Sequence, residues 1–210
     1  MNDHKLNLIS PFGPTIAKVK IPEKIIKYIN DHVDKIRNSK NLSKKFDAGK
    51  SLIGNVTQEI NLSAEVIKES GWLNFLADAT KAWIKHTINQ EITKFNVNSS
   101  WIVSQYENEY NPMHWHNGHI SGAGFLKLPK TFGETVQKEK RNLNGQLILV
   151  HGQRAFMSDS QFKIIPEVGD FYIFPHYLMH IVYPFTNTKE ERRSISFNAV
   201  VDDKIFDVFV

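Results

Sequence analysis

The order of its periodic segments is the feature that most restricts how this chain can fold. Apolar residues recur at helical spacing directly after Pro22, and again within 63–69 and 74–91. From Phe95 onwards the pattern changes, and about seven or eight strand-like segments follow. A series of helices followed by a series of strands predicts a mainly β protein, with N-terminal helices packed on one side of a mainly antiparallel sheet or barrel.

The segments outside these elements are less regular. Residues 5–20 are typical of one or two strands, interrupted by a turn rich in proline and glycine. Residues 38–58 are polar and predict a surface connection. Residues 130–145 are polar and turn-rich, and they predict a hairpin connection or a mobile flap.

Length and composition fit one globular domain. The chain has 210 residues, of which 41% are hydrophobic and 23% are charged, close to the average for soluble proteins. We therefore predict a single domain over residues 1–210. Within it, 1–94 supply helical support with N-terminal strands, and 95–210 supply the β core.

Composition also excludes several kinds of function. The chain contains no cysteine, which rules out disulfides, thiolate metal ligands and cysteine nucleophiles. Its net charge of +4 comes from scattered lysines and arginines, so nucleic-acid binding is not predicted. We find neither a secretory signal nor an apolar run of the ~20 residues that span a bilayer. These features predict a soluble cytoplasmic protein that has no membrane partner.

A histidine-rich stretch, NPMHWHNGHISG at 111–122, carries the most informative chemistry. If it is a strand, His114 and His116 point to the same side and lie about 7 Å apart along the backbone. Two imidazoles on one face can chelate one metal ion. Trp115 then points the other way and is expected in the core, while His180, after the strand-like FYIF, could complete the site.

A second pattern lies near the C-terminus, where residues 192–198 read RRSISFN. As a strand, this segment places Arg192, Ser194, Ser196 and Asn198 on one face, opposite to Arg193. An arginine and a serine two residues apart form a fork of donors for a carboxylate. A metal site beside a carboxylate site suits a chelating 2-oxo acid whose far end is a carboxylate.

The order of these motifs resembles that of the iron(II)- and 2-oxoglutarate-dependent dioxygenases, which have a double-stranded β-helix (jelly-roll, cupin-like) core. The likeness is greatest to a poorly characterised branch with the pattern H-x-H, then S-G, G-D with F-P and H, and R-x-S-x-S-F-N. The chain matches it with His114-Trp115-His116, Ser121-Gly122, Gly169-Asp170 with Phe174-Pro175 and His180, and Arg192 to Asn198. The resemblance covers about residues 100–200.

The resemblance implies a metal-dependent oxidoreductase. His114 and His180 match the family's two metal histidines, and Arg192 and Ser194 match its pair that binds the distal carboxylate of 2-oxoglutarate. The implied cofactor is Fe(II), with 2-oxoglutarate as cosubstrate, and the implied reaction is hydroxylation of a substrate. The chain departs from the family at His116, because histidine occupies the position of the usual carboxylate ligand.

Two strand residues are weaker candidates for the cosubstrate site. Tyr106, or its neighbour Gln105, lies on the strand before the histidine stretch and can contact 2-oxoglutarate. Asn198 shares a face with Arg192 and can reach the same site.

Several alternatives stay open at this point. A shifted alignment makes His116 the first ligand and places Gly118 at the carboxylate position, as in iron halogenases, and His119 could exchange roles with His116. The protein could instead be a cupin-type three-histidine enzyme that does not use 2-oxoglutarate, or a barrel that only binds. The primary substrate, a small molecule or a peptide, cannot be read from the sequence, and edge strands leave a homodimer open.

Overall fold

Ten strands and four α-helices account for most of residues 13–205, the part of the chain that the computed structural model describes. The helices are α1 (Glu23–Arg37), α2 (Lys40–Lys45), α3 (Ala64–Glu69) and α4 (Trp72–Ile88). The strands are β1 (Ala17–Lys20), β2 (Gln58–Asn61), β3 (Phe95–Gln105), β4 (Asn111–His114), β5 (Ile120–Lys127), β6 (Leu147–Val150), β7 (Gln161–Ile164), β8 (Asp170–Pro175), β9 (Met179–Val182) and β10 (Arg192–Val201). Short 3-10 turns occur at Gly49–Ser51 and Asp203–Ile205.

The predicted order of elements is confirmed. The three predicted helical regions correspond to α1, α3 and α4, and eight strands, β3 to β10, follow Phe95. The prediction for residues 5–20 is met by β1 in its last part, while 5–12 lie outside the described residues. Strand β2 was not predicted, because its four residues, QEIN, are too short and too polar to show a period.

The strands form two antiparallel sheets. The larger sheet has the order β1-β8-β5-β10-β3-β2, and the smaller has the order β4-β9-β6-β7. Although β1 and β2 precede residue 95, they pair with β8 and β3 at the two edges of the larger sheet. The predicted support and the predicted core therefore share one sheet. The division of the whole chain into one domain stays a prediction.

The helices cover the outer face of the larger sheet. Ile25, Ile29 and Val33 recur on one side of α1 and are at most 2% exposed, which places them in the apolar cluster beneath it. Burying each such side chain stabilises the fold by about 1.5–3 kcal/mol. On α4, the indole of fully buried Trp72 donates a hydrogen bond to Ser100 on β3, 3.1 Å away. Within residues 13–205, no helix has the length and apolar content needed to cross a bilayer.

Arg193 fixes the orientation of β10 between the two layers. It is fully buried, its guanidinium donates to Glu191 at 2.9 and 2.8 Å, and it forms an ion pair with Asp34 of α1 at 2.6 Å. The prediction that Arg193 faces away from Arg192 is confirmed, and on that face Arg193 forms salt bridges with Asp34 and Glu191. Because neighbouring strand residues alternate, Arg192 is directed to the inner face of the sheet.

Candidate metal centre and its cavity

Three histidines converge between the two sheets. The ligand nitrogens of His114, His116 and His180 all lie within 4.8 Å of one another, and Nε2 of His114 is 3.3 Å from Nε2 of His116. The pairing of β4 with β9 sets His114 directly opposite His180. The sequence prediction that these three residues meet is thus matched by their geometry. No carboxylate among residues 13–205 joins the group.

Backbone carbonyl groups orient two of the three rings. Nδ1 of His114 lies 2.7 Å from the carbonyl oxygen of Pro112, and Nδ1 of His180 lies 2.9 Å from that of Leu178. Each Nδ1 therefore carries the proton and donates it to a carbonyl group, which leaves the Nε2 lone pair free. Histidine ligands commonly use this arrangement to hold a metal ion.

Burial keeps all three imidazoles neutral. Desolvation lowers the pKa of His114, lowers the pKa of His180 to about 4, and lowers the pKa of His116 to about 2. In His116, mutual repulsion with His180 and His114 adds to this effect, while contact with the side chain of Asn198 opposes it. Neutral imidazole is the form that binds metal, so no proton must be displaced near neutral pH.

The local geometry around Trp115 corrects one prediction. Strand β4 ends at His114, so the strand does not extend through Trp115 to His116; the amide of His116 instead donates to the carbonyl oxygen of His176 at 3.0 Å. Trp115 is 63% exposed and lies at the mouth of the cavity, so its expected place in the core is wrong. Because β4 ends at His114, strand alternation does not set the direction of the Trp115 side chain.

Arg192 is a buried cation without a counter-ion. It is 1% exposed and forms no salt bridge with any described carboxylate. Its guanidinium donates to the carbonyl oxygen of Gly145 at 3.2 Å, to Oε1 of Gln105 at 3.2 Å and to Oγ of Ser194 at 3.3 Å. Burial lowers the pKa of Arg192 to about 9. Such an unpaired buried charge is costly, and an anionic ligand would offset that cost.

The inner face of β10 carries the residues that alternation predicted. Arg192, Ser194, Ser196 and Asn198 all line one cavity of about 480 Å³ that also contains His114 and His116. Asn198 accepts a hydrogen bond from Ser121 at 2.9 Å, which positions its side chain beside His116.

Tyr106, predicted at the cosubstrate site, does not line this cavity. Its hydroxyl group is hydrogen bonded to Arg37, and its ring lies against the same guanidinium. The preceding residue, Gln105, is the one that reaches Arg192. Gln105 is the last residue of β3 and points inward, whereas Tyr106 follows the strand end and is held by Arg37.

The alternative ligand assignments do not match this geometry. Nδ1 of His119 accepts a hydrogen bond from the amide of Val201 at 3.1 Å, and His119 is not part of the histidine group. His114 is part of that group, as the unshifted alignment requires.

At the β2 edge of the larger sheet, the cavity holds a carboxylate that the sequence analysis missed. Glu59 on β2 is 3% exposed and lines the cavity with residues of the 48–54 loop. Burial, together with the nearby charge of Asp47, raises the pKa of Glu59 to about 7. Because β2 has no readable period and 38–58 resemble an ordinary polar connection, no sequence signal marks this residue.

Glu59 should make the stability of the metal-free protein depend on pH. Its folded-state pKa of about 7 exceeds the ordinary 4.5, so the folded state holds the proton more tightly, and its stability falls as pH rises from about 4.5 to about 7. We expect the free energy of unfolding of Glu59→Gln to equal that of the wild type at pH 4.5 and to exceed it by about 3 kcal/mol at pH 8. Urea unfolding at several pH values measures this difference. If the difference in unfolding free energy between the two proteins did not change with pH, the prediction would be refuted.

Solved structures with a similar fold support the architecture. A prolyl-4-hydroxylase from Pseudomonas putida has a TM-score of 0.53 at 13% identity, covering 87% of this chain and 91% of that one. HygX from Streptomyces hygroscopicus, solved with nickel, 2-oxoglutarate and hygromycin B, has a TM-score of 0.57 at 10% identity, with 88% and 82% covered. A Trichoplax adhaerens prolyl hydroxylase, in complex with a hypoxia inducible factor peptide fragment, has a TM-score of 0.52 at 12% identity, with 93% and 87% covered. At these identities the likeness establishes the fold, a double-stranded β-helix.

A family model matches the part of the chain that carries the site. Residues 99–198 match the model of a family described as "putative 2OG-Fe(II) oxygenase", and this range includes every predicted site residue. No curated protein matches the chain. Over residues 99–198, just under half of the chain, the protein is therefore similar to the iron(II)- and 2-oxoglutarate-dependent oxygenases, and this match indicates an oxidoreductase of that class.

Proposed function

We propose that this oxygenase hydroxylates its substrate with Fe(II) held by His114, His116 and His180 and with 2-oxoglutarate held by Arg192 and Ser194. One observation supports this most strongly: an unpaired buried guanidinium and neutral imidazoles line the same cavity. The imidazoles can bind a metal ion, and the guanidinium can bind a carboxylate of a ligand chelated to that ion. A 2-oxo acid with a distal carboxylate has both groups.

The residues around Arg192 prepare it to bind a carboxylate. Gln105 and the carbonyl group of Gly145 each accept one of its hydrogen bonds, which fixes the plane of the guanidinium before a ligand arrives. Phe125 packs against that plane, with 5.1 Å between the guanidinium carbon and the ring centre. An arginine fixed in this way loses little conformational freedom on binding, so more of the interaction energy contributes to affinity.

When bound, an iron centre of this class couples the conversion of 2-oxoglutarate and O₂ into succinate and CO₂ to the insertion of one oxygen atom into a substrate C–H bond. The protein supports this chemistry by positioning and by excluding water. His114 and His180 are oriented by backbone carbonyl groups. Phe174 packs against His180 with ring centres 5.3 Å apart, which keeps solvent from that side of the site.

His116 makes this site more positive than one with two histidines and a carboxylate. A third neutral ligand leaves the full charge of Fe(II) uncompensated by the protein, so an anionic cosubstrate should bind more tightly. Arg192 is the feature that favours use of 2-oxoglutarate over a cupin-type reaction that needs no 2-oxo acid.

Anaerobic titration of the metal-free protein with Fe(II) and then 2-oxoglutarate tests the proposal. We expect a weak visible charge-transfer band that saturates with one equivalent of each. Pyruvate, a 2-oxo acid without the distal carboxylate, should need a far higher concentration, and Zn(II) should give no band. Metal binding without a band would favour the cupin-type enzyme. No metal binding would favour a non-catalytic binding protein with the same barrel.

The substrate is proposed to be a small molecule or a peptide. The similar structures include one in complex with a peptide fragment and one with hygromycin B bound, so the fold accommodates both. The mouth of the cavity here is formed in part by exposed Ile53, Met113 and Trp115.

A further inference from the structure

A buried carboxylate without a counter-ion lines the cavity at the β2 edge of the larger sheet. Glu59 is 3% exposed, and no lysine, arginine or histidine in residues 13–205 forms a salt bridge with it. Through the strand pairings, Glu59 is aligned with Val103 on β3, which is aligned with Ser194 on β10. Two strand spacings, about 10 Å, therefore separate Glu59 from the residues that bind the cosubstrate.

A second acceptor converges on the same point. Oδ1 of Asn111 is buried and has no hydrogen-bond partner among the described residues. A Cβ atom added to Gly54 would lie 2.7 Å from Oε1 of Glu59 and even closer to Oδ1 of Asn111. Both oxygen acceptors thus lie close against Gly54, which has no Cβ atom to displace them, and no hydrogen bond from a described residue reaches either.

The backbone around this space is firmly held. Asn55 and Tyr110 form a pair of backbone hydrogen bonds of 3.0 and 3.3 Å, which attaches the 51–56 loop to the segment just before β4. The amide of Ala48 donates to the carbonyl oxygen of Glu59 at 2.8 Å, which fixes the other end of the loop. These bonds hold Gly54 beside Asn111.

We propose that Glu59 and Asn111 form the substrate-recognition subsite of this oxygenase and that it binds an alkylammonium or guanidinium group of the substrate. A buried carboxylate is stabilised most by a cation, and such a group has several N–H donors for both acceptors. The exposed apolar side chains of Ile53, Met113 and Trp115 at the same mouth can contact the adjoining hydrocarbon chain.

The position of the subsite also sets where the substrate is oxidised. Asn111 precedes His114 by three residues on β4, which corresponds to about 10 Å. The carbon that reacts is therefore several bonds away from the nitrogen that is bound. This inference rests on the proposed function, because it identifies the substrate of the same centre.

Binding of n-butylammonium, n-butylguanidinium, n-butanol and n-butyrate tests the charge preference directly. Saturation-transfer NMR would be recorded on the protein loaded with Zn(II) and 2-oxoglutarate, and lysine amide acetylated on its α-nitrogen would represent a peptide side chain. We expect the cations to bind at least ten-fold more tightly than butanol or butyrate. Equal affinity of butylammonium and butanol would overturn the proposal.

Substitutions assign the preference to this subsite. Glu59→Gln should lower the affinity for butylammonium at least ten-fold, to that of butanol, whereas Glu65→Gln, an exposed charge change on α3, should leave it unchanged. Gly54→Ala should also abolish cation binding, because its methyl group would clash with both acceptors and displace them. Unchanged butylammonium binding in a folded Glu59→Gln or Gly54→Ala protein would refute the assignment.

The Fe(II) and 2-oxoglutarate titration separates this inference from the proposed function. Glu59 makes no hydrogen bond to the described histidines or to Arg192, so Glu59→Gln should retain the charge-transfer band. A wild-type protein that shows the band but no preference for cations would refute the subsite alone. A wild-type protein without the band would refute the proposed function, whatever its affinity for the butyl compounds.

Discussion

His180→Ala is expected to weaken Fe(II) binding at least 100-fold and to abolish the charge-transfer band with 2-oxoglutarate. His180 is 3% exposed and supplies one of three nitrogens that lie within 4.8 Å of one another. Removing one of three protein ligands leaves two imidazoles, which do not define a closed coordination geometry. Competition against a metal-sensitive dye under anaerobic conditions measures the affinity.

Two further variants show whether the loss is specific to the metal site. His151→Ala removes an exposed histidine outside the cluster and should bind Fe(II) like the wild type. His116→Asp replaces an imidazole with a carboxylate, the more common third ligand, and should retain Fe(II) binding. If His180→Ala bound Fe(II) as tightly as the wild type, the three-histidine site would be wrong.

Arg192→Met is expected to weaken 2-oxoglutarate binding by about 10²- to 10³-fold, while Fe(II) still binds. The expected loss corresponds to the cost, about 3 kcal/mol or more, of removing one member of a buried and hydrogen-bonded charge pair. Methionine resembles arginine in length and fills much of the same space, so the loss should reflect charge and hydrogen bonding more than packing. The charge-transfer band, followed against 2-oxoglutarate concentration, gives the dissociation constant.

Pyruvate provides the matched comparison for this variant. Because pyruvate has no distal carboxylate, its binding should change little on Arg192→Met. Arg141→Met, which removes an exposed cation from the 130–145 segment, should leave both ligands unaffected. An equal loss of pyruvate and 2-oxoglutarate would mean that Arg192 supports the cavity without binding the distal carboxylate.

The alternating pattern of β10 explains why so much of the site could be predicted. Side chains in a strand alternate between two faces. Once one residue is known to point inward, every second residue along the strand is expected on the same face. Arg192, Ser194 and Asn198 were placed on one face from the sequence, and all three line the cavity. His114 and His180 were linked by the motif pattern, and the pairing of β4 with β9 brings them together.

The same reasoning failed where a strand ends. The alternation predicted for Trp115 assumed a strand that continues through it, but β4 ends at His114. Tyr106 was predicted on a strand, but β3 ends one residue earlier, at Gln105. Beyond a strand end, side-chain direction depends on tertiary contacts, such as the one between Tyr106 and Arg37. Local sequence does not encode such partners, because they lie 69 residues apart.

The sequence by itself predicted the order of helices and strands, which residues of β10 share a face, and which three histidines come together. These features follow from local periodicity and motif spacing. Only the tertiary structure revealed that Glu59, Asn111 and Gly54 meet in the cavity that Arg192 also lines. No local sequence pattern marks any of these residues. They stand out as a candidate site only because they are buried and because the Glu59 charge has no partner among the described residues. Those quantities exist only when distant segments have packed together and excluded water.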